Sequence, residues 1–403
     1  MSKESQSILH FIFSNDTEED EDEGEIDVTA IDHFDMSQIC SVRLLEENER
    51  RFIWVADVRL ETMGTFPIII KDYLPKKDID SYKRYRLNGF KRPLQHHSSS
   101  TIDDDEFPYK FSSRTRRDYD HESKFLLNEL KNHPFIVHTF ICEHHLENDL
   151  RIFMEYLPMG NLHLHLTELN HDSLDSLDPW INAFHWIYQL AQAMGYLSAK
   201  NIVHRDLAAR NILLKTEQRI KLSDFGLSRK EGPTSKDRDC HISPRWTAPE
   251  CVSKHQTFSS LADVWSFGVV IWEIYSFGAK PYGTELPEIA NTSKPNCILQ
   301  EFLIEKGRRL SQPNNCSQGM YDLMYRCWNI HPEKRPSFGD IIDDFNDMNT
   351  KKDSIISFTP VERKVWKQIK KKYRNIIAKK PTTTSEYMDV QDPENDFTTV
   401  IRM

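Results

Sequence analysis

The stretch that decides the fold is His204-Arg205-Asp206-Leu207-Ala208-Ala209-Arg210-Asn211, and Asp224-Phe225-Gly226 begins thirteen residues after Asn211. Together they supply one carboxylate, a carboxamide and, further along the chain, a second carboxylate. A carboxylate beside a hydroxyl group can accept its proton, while separate oxygen ligands can hold Mg²⁺ against phosphates. By residue type, Asp206 is therefore a candidate general base, and Asn211 and Asp224 are candidate metal ligands.

This run resembles the catalytic loop and metal-binding turn of protein kinases, and its Ala-Ala-Arg resembles the tyrosine-kinase version of the loop. An eight-residue block with Asp-Phe-Gly at the expected distance is much more specific than a lone His-Arg-Asp, which recurs by chance in turns. The resemblance implies an α+β fold of two lobes. The small lobe is antiparallel β with one helix (αC), the larger lobe is mainly helical, and ATP and Mg²⁺ are the implied cofactors.

Other segments extend the resemblance. Residues 244–250 resemble the segment that binds acceptor peptide in tyrosine kinases, and residues 263–268 resemble the central large-lobe helix, whose aspartate braces the catalytic loop. Arg335 lies in the family's closing motif and is the expected partner of Glu250. The resemblance covers roughly residues 40 to 348, and it is dense in the large lobe and thin in the small one.

In the small lobe, Lys71 follows three isoleucines and resembles the lysine that contacts the α- and β-phosphates of ATP. Without the downstream motifs, a solvent-facing lysine at a strand end is an equal interpretation. The resemblance places its ion-pair partner on αC, where Glu122 is the candidate and Glu129 is an alternative. It also implies that backbone groups of Glu155 and Leu157 bind adenine.

The glycine-rich loop of the family is missing. Alignment on the strand that contains residues 53–56 puts its three glycines at Glu46, Asn48 and Arg51. Glycine suits such a loop because backbone amides can approach the phosphates without a Cβ in the way. The sequence predicts that this loop does not clamp ATP in the usual manner, which leaves the side chain of Arg50 or Arg51 to contact phosphate.

Further departures concern the adenine pocket and regulation. Ile69 replaces the family's alanine above adenine and is expected to narrow the pocket near the gatekeeper position, Met154. Residues 227–243 contain no tyrosine, so activation by tyrosine phosphorylation within this loop is excluded. Ser243 stands where tyrosine kinases have the proline that supports the substrate ring, and Pro244 follows one position later.

Composition narrows the function further. The 403 residues carry a net charge of −10, and removing nine acids between residues 16 and 27 leaves only −1. A nearly neutral remainder argues against nucleic acid as a partner of the folded part. Seven cysteines without CxxC pairs predict free thiols and a cytoplasmic location, with a peripheral position at the plasma membrane as the alternative.

The chain divides into a kinase-like domain and two tails. Residues 1–38 are predicted to be an acidic disordered tail, and residues 39–348 to be the domain. The small lobe is expected at 39–155 and the large lobe at 158–348. Residues 79–120 lack any compact pattern and are interpreted as a polar insertion in the small lobe.

Residues 349–403 form the second tail. Apolar residues at helical spacing over 360–380, with nine Lys or Arg against one acid, predict a basic amphipathic helix before a flexible end. The helix is expected to pack on the domain, to contact the acidic N-terminal tract, to enter a calmodulin-like groove or to lie on an anionic membrane. Tyr387 resembles docking motifs for phosphotyrosine-reading domains, and an unmodified tail tyrosine is the alternative.

Taken together, the motifs favour a protein tyrosine kinase in intracellular signalling whose partners are protein substrates with tyrosine. In this interpretation Asp206 accepts the hydroxyl proton, Arg210 orients the acceptor and Asp206, and Lys71 fixes the phosphates. The alternative is a pseudokinase scaffold that binds nucleotide poorly. The missing glycines favour the scaffold, whereas the intact ionisable residues favour the enzyme. The candidate nucleotide-binding residues are Lys71, Glu122, Glu155, Leu157, Asn211 and Asp224.

Overall fold

The computed structural model describes residues 31, 33–61, 63–75, 78–91, 109–130, 133–143, 149–172, 178–231, 243–252, 257–286, 298, 301–314 and 316–346. A β-rich region precedes a mainly helical region, and each has a hydrophobic core. The predicted α+β fold of two lobes is confirmed.

The small lobe is built on a six-stranded sheet in the order β1-β5-β6-β4-β3-β2. Neighbouring strands are antiparallel except for the β1–β5 pair, which is parallel. Side chains alternate between the two faces of a strand, and in β3 this alternation buries Phe52, Trp54 and Ala56 on one face. The strands are β1 (His33–Asp35), β2 (Ile39–Glu47), β3 (Arg51–Leu60), β4 (Gly64–Tyr73), β5 (Thr139–Glu143) and β6 (Arg151–Glu155).

Strand β1 corrects the predicted extent of the N-terminal tail, which was placed at residues 1–38. His33–Asp35 pairs with β5, and Phe34 is buried with its ring 5.5 Å from that of Phe153. The acidic composition that predicts disorder stops before this point, and burial of an aromatic side chain stabilises the short strand. Residues 1–30 lie outside the described residues.

Helices at both ends of the predicted insertion, 79–120, correct that interpretation. Helix α1 spans Ile79–Lys91, and helix α2 spans Ser113–Lys124 and continues as a π-helical turn, Phe125–Glu129. The polar composition concealed both helices, because their buried polar groups find partners within the protein rather than in water. Residues 92–108 lie outside the described part of the chain.

Helix α1 is anchored to the sheet by a buried ion-pair network. The guanidinium of Arg86 donates to Asp72 at 3.0 Å and to Asp149 at 2.9 Å, and the hydroxyl of Tyr82 donates to Asp72 at 2.6 Å. All four side chains are buried. Buried charges are costly unless they are paired and hydrogen-bonded, so the network fixes the position of α1 on the lobe.

The large lobe surrounds helix α6, which is buried from Ala262 to Tyr275. Its Gly268 allows close packing on α7, since a Cβ there would lie 2.8 Å from atoms of both Cys327 and Trp328. The helices are α3 (Leu162–Asp172), α4 (Asp178–Ala199), α5 (Pro249–Val252), α6 (Ser260–Tyr275), α7 (Gln318–Cys327) and α8 (Phe338–Asn346). Two short sheets pair β7 (Ile202–Val203) with β10 (Arg229–Lys230), and β8 (Ile212–Thr216) with β9 (Arg219–Leu222).

Some of the remaining predictions from the sequence fall on described residues, and others do not. Arg335 makes the expected pair with Glu250, with nitrogen–oxygen distances of 2.6 and 2.9 Å. None of the five cysteines within the described ranges forms a disulfide bond. Over the same ranges, none of the helices combines the length and the apolar character needed to cross a membrane. The predicted basic helix at 360–380 and Tyr387 lie outside the described residues.

Candidate active site

The predicted catalytic loop connects β7 to β8 and is held from below by Asp263 on α6. The Asp263 carboxylate accepts the backbone N–H groups of His204 at 2.6 Å and Arg205 at 3.0 Å. Burial raises the pKa of Asp263 to about 6, although these hydrogen bonds oppose the rise. Arg205 has a φ of 70°, a left-handed conformation that the Asp263 contacts help to hold.

A second buried carboxylate, Glu273, braces the same loop. It accepts the N–H of Ala209 at 3.0 Å and the indole N–H of Trp246 at 2.8 Å. Burial raises the pKa of Glu273 to about 7. In the sequence, Glu273 interrupts the apolar stretch of residues 264–277, and the motifs gave no reason to place it in the site. That interruption was itself the signal, because a charged residue in a buried helix needs a partner.

Four side chains meet at the predicted base, and we call them the acceptor cluster: Asp206, Arg210, Asn211 and Ser243. The Asp206 carboxylate accepts from Arg210 at 2.6 Å, from the Ser243 hydroxyl at 2.8 Å and from the Asn211 amide at 3.0 Å. Arg210 also lies 4.7 Å from the centre of the Trp246 ring. The cluster fixes a carboxylate that is still partly open to solvent, as a group that receives an external hydroxyl must be.

A second group, the phosphate cluster, consists of Arg51, Lys71, Glu122 and Asp224. The Lys71 ammonium lies 2.6 Å from both carboxylate oxygens of Glu122 and 3.0 Å from Asp224. Glu122 therefore occupies the partner position predicted for it, whereas Glu129 pairs with Lys230. The Lys71–Glu122 pair is buried, so it ties α2 firmly to strand β4.

Tyr73 adds a contact that the sequence reasoning missed. It lies two residues after Lys71 on the same face of β4, and its hydroxyl donates to Glu122. Burial raises the pKa of the Tyr73 hydroxyl well above its usual value, and the negative charge of Glu122 acts in the same direction. The phenol therefore stays neutral and keeps donating to the carboxylate.

The backbone conformation of Asp224 and the buried position of Phe225 direct the Asp224 carboxylate toward the phosphate cluster. Its φ of 61° is left-handed, and Phe225 is buried with its ring 5.1 Å from that of His204. Burial by itself would raise the pKa of Asp224, but Lys71 and Arg51 outweigh burial and hold that pKa well below its usual value. Asp224 is therefore an anion at neutral pH.

Arg51 replaces the last glycine of the family's loop and enters the cleft from β3. Its guanidinium donates to both oxygens of Asp224, at 3.3 and 3.1 Å. In the β3–β4 register Arg51 lies opposite Tyr73, and Ile53 lies opposite Lys71. Alternation along the strands therefore puts Arg51 on the same face as Lys71. Burial alone would lower the pKa of Arg51, but the charge and hydrogen bonds of Asp224, together with the charge of Glu122, outweigh burial and raise that pKa.

The turn before Arg51 agrees with the expectation that this loop does not clamp phosphates. The side-chain oxygen of Asn48 accepts the backbone N–H groups of Arg50 and Arg51, both at 3.0 Å. A phosphate-binding loop presents such N–H groups to its ligand. Here two of them are already used inside the turn.

The adenine side of the cleft modifies one prediction. The backbone N–H of Glu155 donates to the carbonyl of His138 at 3.0 Å, so this N–H is already used and does not face a base. Its buried carboxylate binds Lys221 at 2.5 Å and is a structural group. The predicted backbone contact of Leu157 with adenine stays a prediction. Met154 lies directly opposite Ile69 in the β4–β6 register, and both are half-buried.

The side-chain oxygens of Asn211 and Asp224 are suitable ligands for Mg²⁺. Asp224 is anionic, and the Asn211 amide nitrogen donates to Asp206, which leaves its amide oxygen as the metal-binding atom. Across the ranges that the structure covers, His, Cys, Asp and Glu form no group of three or more able to hold a metal ion. A magnesium ion held by these two residues would therefore draw its other ligands from nucleotide phosphates and water.

Comparison with known proteins gives the family. The family model for protein tyrosine and serine/threonine kinases matches residues 109–345. The chain belongs to this family. Within the kinase match lie the whole acceptor cluster, Glu122 and Asp224, whereas Arg51 and Lys71 precede it.

Curated tyrosine-protein kinases are similar to more than half of the chain. Human tyrosine-protein kinase ABL2 is 37% identical over 227 residues, which are 55% of this chain and 18% of that protein. Zebrafish (Danio rerio) tyrosine-protein kinase JAK1 is 34% identical over 232 residues, 55% of this chain and 20% of that protein. Tyrosine-protein kinase abl-1 of Caenorhabditis elegans is 32% identical over 306 residues, 68% of this chain and 23% of that protein. The chain thus spans about a fifth of the length of these relatives.

Proposed function

We propose that this chain is a protein-tyrosine kinase that transfers the γ-phosphoryl group of ATP to tyrosine side chains of protein substrates. The observation that carries the proposal is that Lys71 bonds both Glu122, at 2.6 Å, and Asp224, at 3.0 Å. Through these two bonds, the single side chain of Lys71 joins the β sheet, helix α2 and the turn that contains Asp224. Phosphoryl transfer depends on such positioning, because the protein contributes mainly alignment and charge to this reaction.

The residues of the cleft would divide the work as follows. Asp206 accepts the proton of the tyrosine hydroxyl, and Arg210 holds the Asp206 carboxylate in place through its 2.6 Å hydrogen bond. Lys71 places positive charge beside the α- and β-phosphates. Asn211 and Asp224 would hold Mg²⁺, which when bound supplies positive charge that offsets the charge developing on the transferred group.

Tyrosine is favoured as the acceptor over serine or threonine. The catalytic loop has alanine at position 208, and the matched relatives are named tyrosine-protein kinases. Nothing in these comparisons favours the alternative of a pseudokinase scaffold. We further propose a cytoplasmic location, recognition of Tyr387 by phosphotyrosine-reading domains, and membrane-surface or intramolecular contact through residues 360–380.

The test is phosphorylation of a Glu-Tyr copolymer by the purified full chain with ATP and Mg²⁺. Asp206→Asn should lower the rate about 10³-fold, because the amide keeps the shape of the side chain but cannot take the proton. Asp322→Asn, on the exposed face of α7, is the matched control and should leave the rate unchanged. Equal rates for wild type and Asp206→Asn would contradict the enzyme, and phosphate found only on serine or threonine would contradict the acceptor class.

A further inference from the structure

Asp224 already has two cationic partners inside the protein. Arg51 donates to its Oδ1 at 3.3 Å and to its Oδ2 at 3.1 Å, and Lys71 donates to Oδ1 at 3.0 Å. Two-pronged pairing of guanidinium with carboxylate is strong and geometrically specific. Both oxygens of the predicted metal ligand are therefore hydrogen-bonded by side chains of the chain itself.

The position of Arg51 is built into the fold. Strand alternation points it into the cleft, and Asn48 closes the turn immediately before it. The turn is also tied to helix α1, because Glu47 pairs with Lys83 at 2.5 Å. The Arg51 side chain keeps only 29% of its surface exposed and that of Asp224 keeps 26%, so the pair lies at the wall of the cleft.

The charge balance of the phosphate cluster follows from these contacts. Arg51 and Lys71 contribute two positive charges, and Glu122 and Asp224 contribute two negative charges, so the cluster is neutral with Arg51 in place. A divalent cation at Asp224 would meet two like charges within hydrogen-bonding distance of its ligand, and this repulsion weakens metal binding.

A phosphate group, being negatively charged, is attracted by the same two cationic side chains that repel a divalent cation. A guanidinium carries five N–H donors, and the two that bind Asp224 leave three for another acceptor. Guanidinium groups match phosphate oxygens well, and both cations of the cluster lie on the cleft face of the sheet. Arg51 can therefore provide by side chain the phosphate contact that the missing glycines would have provided by backbone.

We propose that Arg51 supplies positive charge beside Asp224 and binds the phosphates of a nucleoside di- or triphosphate, so that nucleotide binding, as distinct from phosphoryl transfer, depends little on divalent metal. The inference rests on the proposed function, since it takes this cleft to be the nucleotide site. It concerns binding, and it assigns a role to a residue that the family's loop does not contain.

The experiment is calorimetric titration of the full chain with ADP and with ATP, once in EDTA and once in excess Mg²⁺. For wild type the dissociation constants in the two conditions should agree within about threefold. Arg51→Ala should lose at least about tenfold in affinity in EDTA and regain most of it with Mg²⁺, because the two like charges are reduced to one. Arg59→Ala removes an exposed arginine near the other end of β3 and should behave as wild type.

The possible results separate the two proposals. Wild-type binding that disappears in EDTA, or an Arg51→Ala protein with unchanged affinity in EDTA, would overturn this inference and leave the kinase proposal standing. Failure of both nucleotides to bind any of these proteins in either condition would overturn the proposed function and the inference with it. Arg51→Lys checks that the effect follows charge and not folding, and it should retain part of the EDTA affinity.

Discussion

The two clusters of the cleft are assembled in different ways. Three of the four members of the acceptor cluster, Asp206, Arg210 and Asn211, come from one six-residue segment, and Ser243 joins them from the segment before helix α5. The phosphate cluster draws Arg51 and Lys71 from two strands, Glu122 from helix α2 and Asp224 from the turn after β9. A contiguous motif thus preserves its local geometry. A cluster built from separate elements can gain a new member when the residue at one strand position changes, as Arg51 does here.

One ion pair in each cluster also differs from its counterpart in exposure to solvent. Asp206 and Arg210 keep 16% and 36% of their side-chain surface exposed, whereas Lys71 and Glu122 keep 4% and 1%. A buried charge that loses its partner is costly, while a partly exposed charge regains water. We therefore expect loss of Glu122 to affect folding stability, and substitutions around Asp206 to affect mainly chemistry.

The largest effect on stability is expected for Glu122→Ala. It leaves the buried Lys71 with Asp224 as its remaining carboxylate partner and should lower the free energy of unfolding by about 3 kcal/mol, at the lower end of the range for a broken buried pair. Glu129→Ala is the control, because its pair with Lys230 is half-exposed and should cost less than about 1 kcal/mol. Urea denaturation measures both. Similar losses for the two variants would contradict the distinction between buried and exposed pairs.

Glu273→Gln tests the brace beneath the acceptor cluster. The folded-state pKa of about 7 exceeds the usual 4.5, so folding favours the uncharged acid. That contribution is fully present below pH 4.5 and is lost as the pH rises through 7. Between pH 5 and pH 8 the stability of wild type relative to Glu273→Gln should fall by about 2 kcal/mol.

Denaturation of wild type and Glu273→Gln at a series of pH values measures the difference between their free energies of unfolding. Taking the difference between the two proteins removes the pH dependence due to other groups, including Asp263, whose pKa burial also raises. A difference that stays constant across this pH range would show that Glu273 does not titrate in it.

Ser243→Ala tests how the acceptor cluster contributes to the rate of phosphoryl transfer. It removes one of the hydrogen bonds that orient the Asp206 carboxylate, the 2.8 Å contact from the Ser243 hydroxyl. The loss of one such bond, about 1 kcal/mol, should lower kcat by roughly fivefold while the KM for ATP stays the same. Ser243→Thr keeps a hydroxyl and should recover most of the rate. Loss of stability without a change in kcat would assign Ser243 a purely structural role.

The smallest effect is expected for Lys83→Met. The pair of Lys83 with Glu47 ties helix α1 to the turn before Arg51, but both side chains are substantially exposed. Breaking it should cost about 0.5 kcal/mol at low salt and almost nothing in 1 M NaCl, where such pairs are screened. Thermal unfolding at both salt concentrations is the measurement. A large loss that persists in high salt would mean that the turn depends on Lys83 more than its exposure indicates.

The structure brings the predicted site residues together but places parts of the small lobe differently from the sequence prediction. Lys71 meets Glu122, and Asp206 meets Arg210, because short motifs and strand and helix patterns carry local information. Helix 79–91 and the first eight residues of helix 113–124 fall in the predicted insertion, 79–120, since polar composition does not reveal that Arg86 has buried carboxylate partners. Strand His33–Asp35 was missed because three residues carry too little periodic signal.

The amino-acid sequence is enough to name the candidate chemical groups of this protein: the predicted base, the two predicted oxygen ligands, the lysine and the absence of glycines from the loop before β3. Which of these charges meet depends on the folded arrangement. Arg51 reaches Asp224, 173 positions away in the chain, because the β3–β4 register puts it on the face of Lys71. Glu273 reaches the catalytic loop because α6 is buried beneath it. Composition and spacing describe neighbours along the chain, whereas pairing of charges depends on distance in space and on exclusion of water.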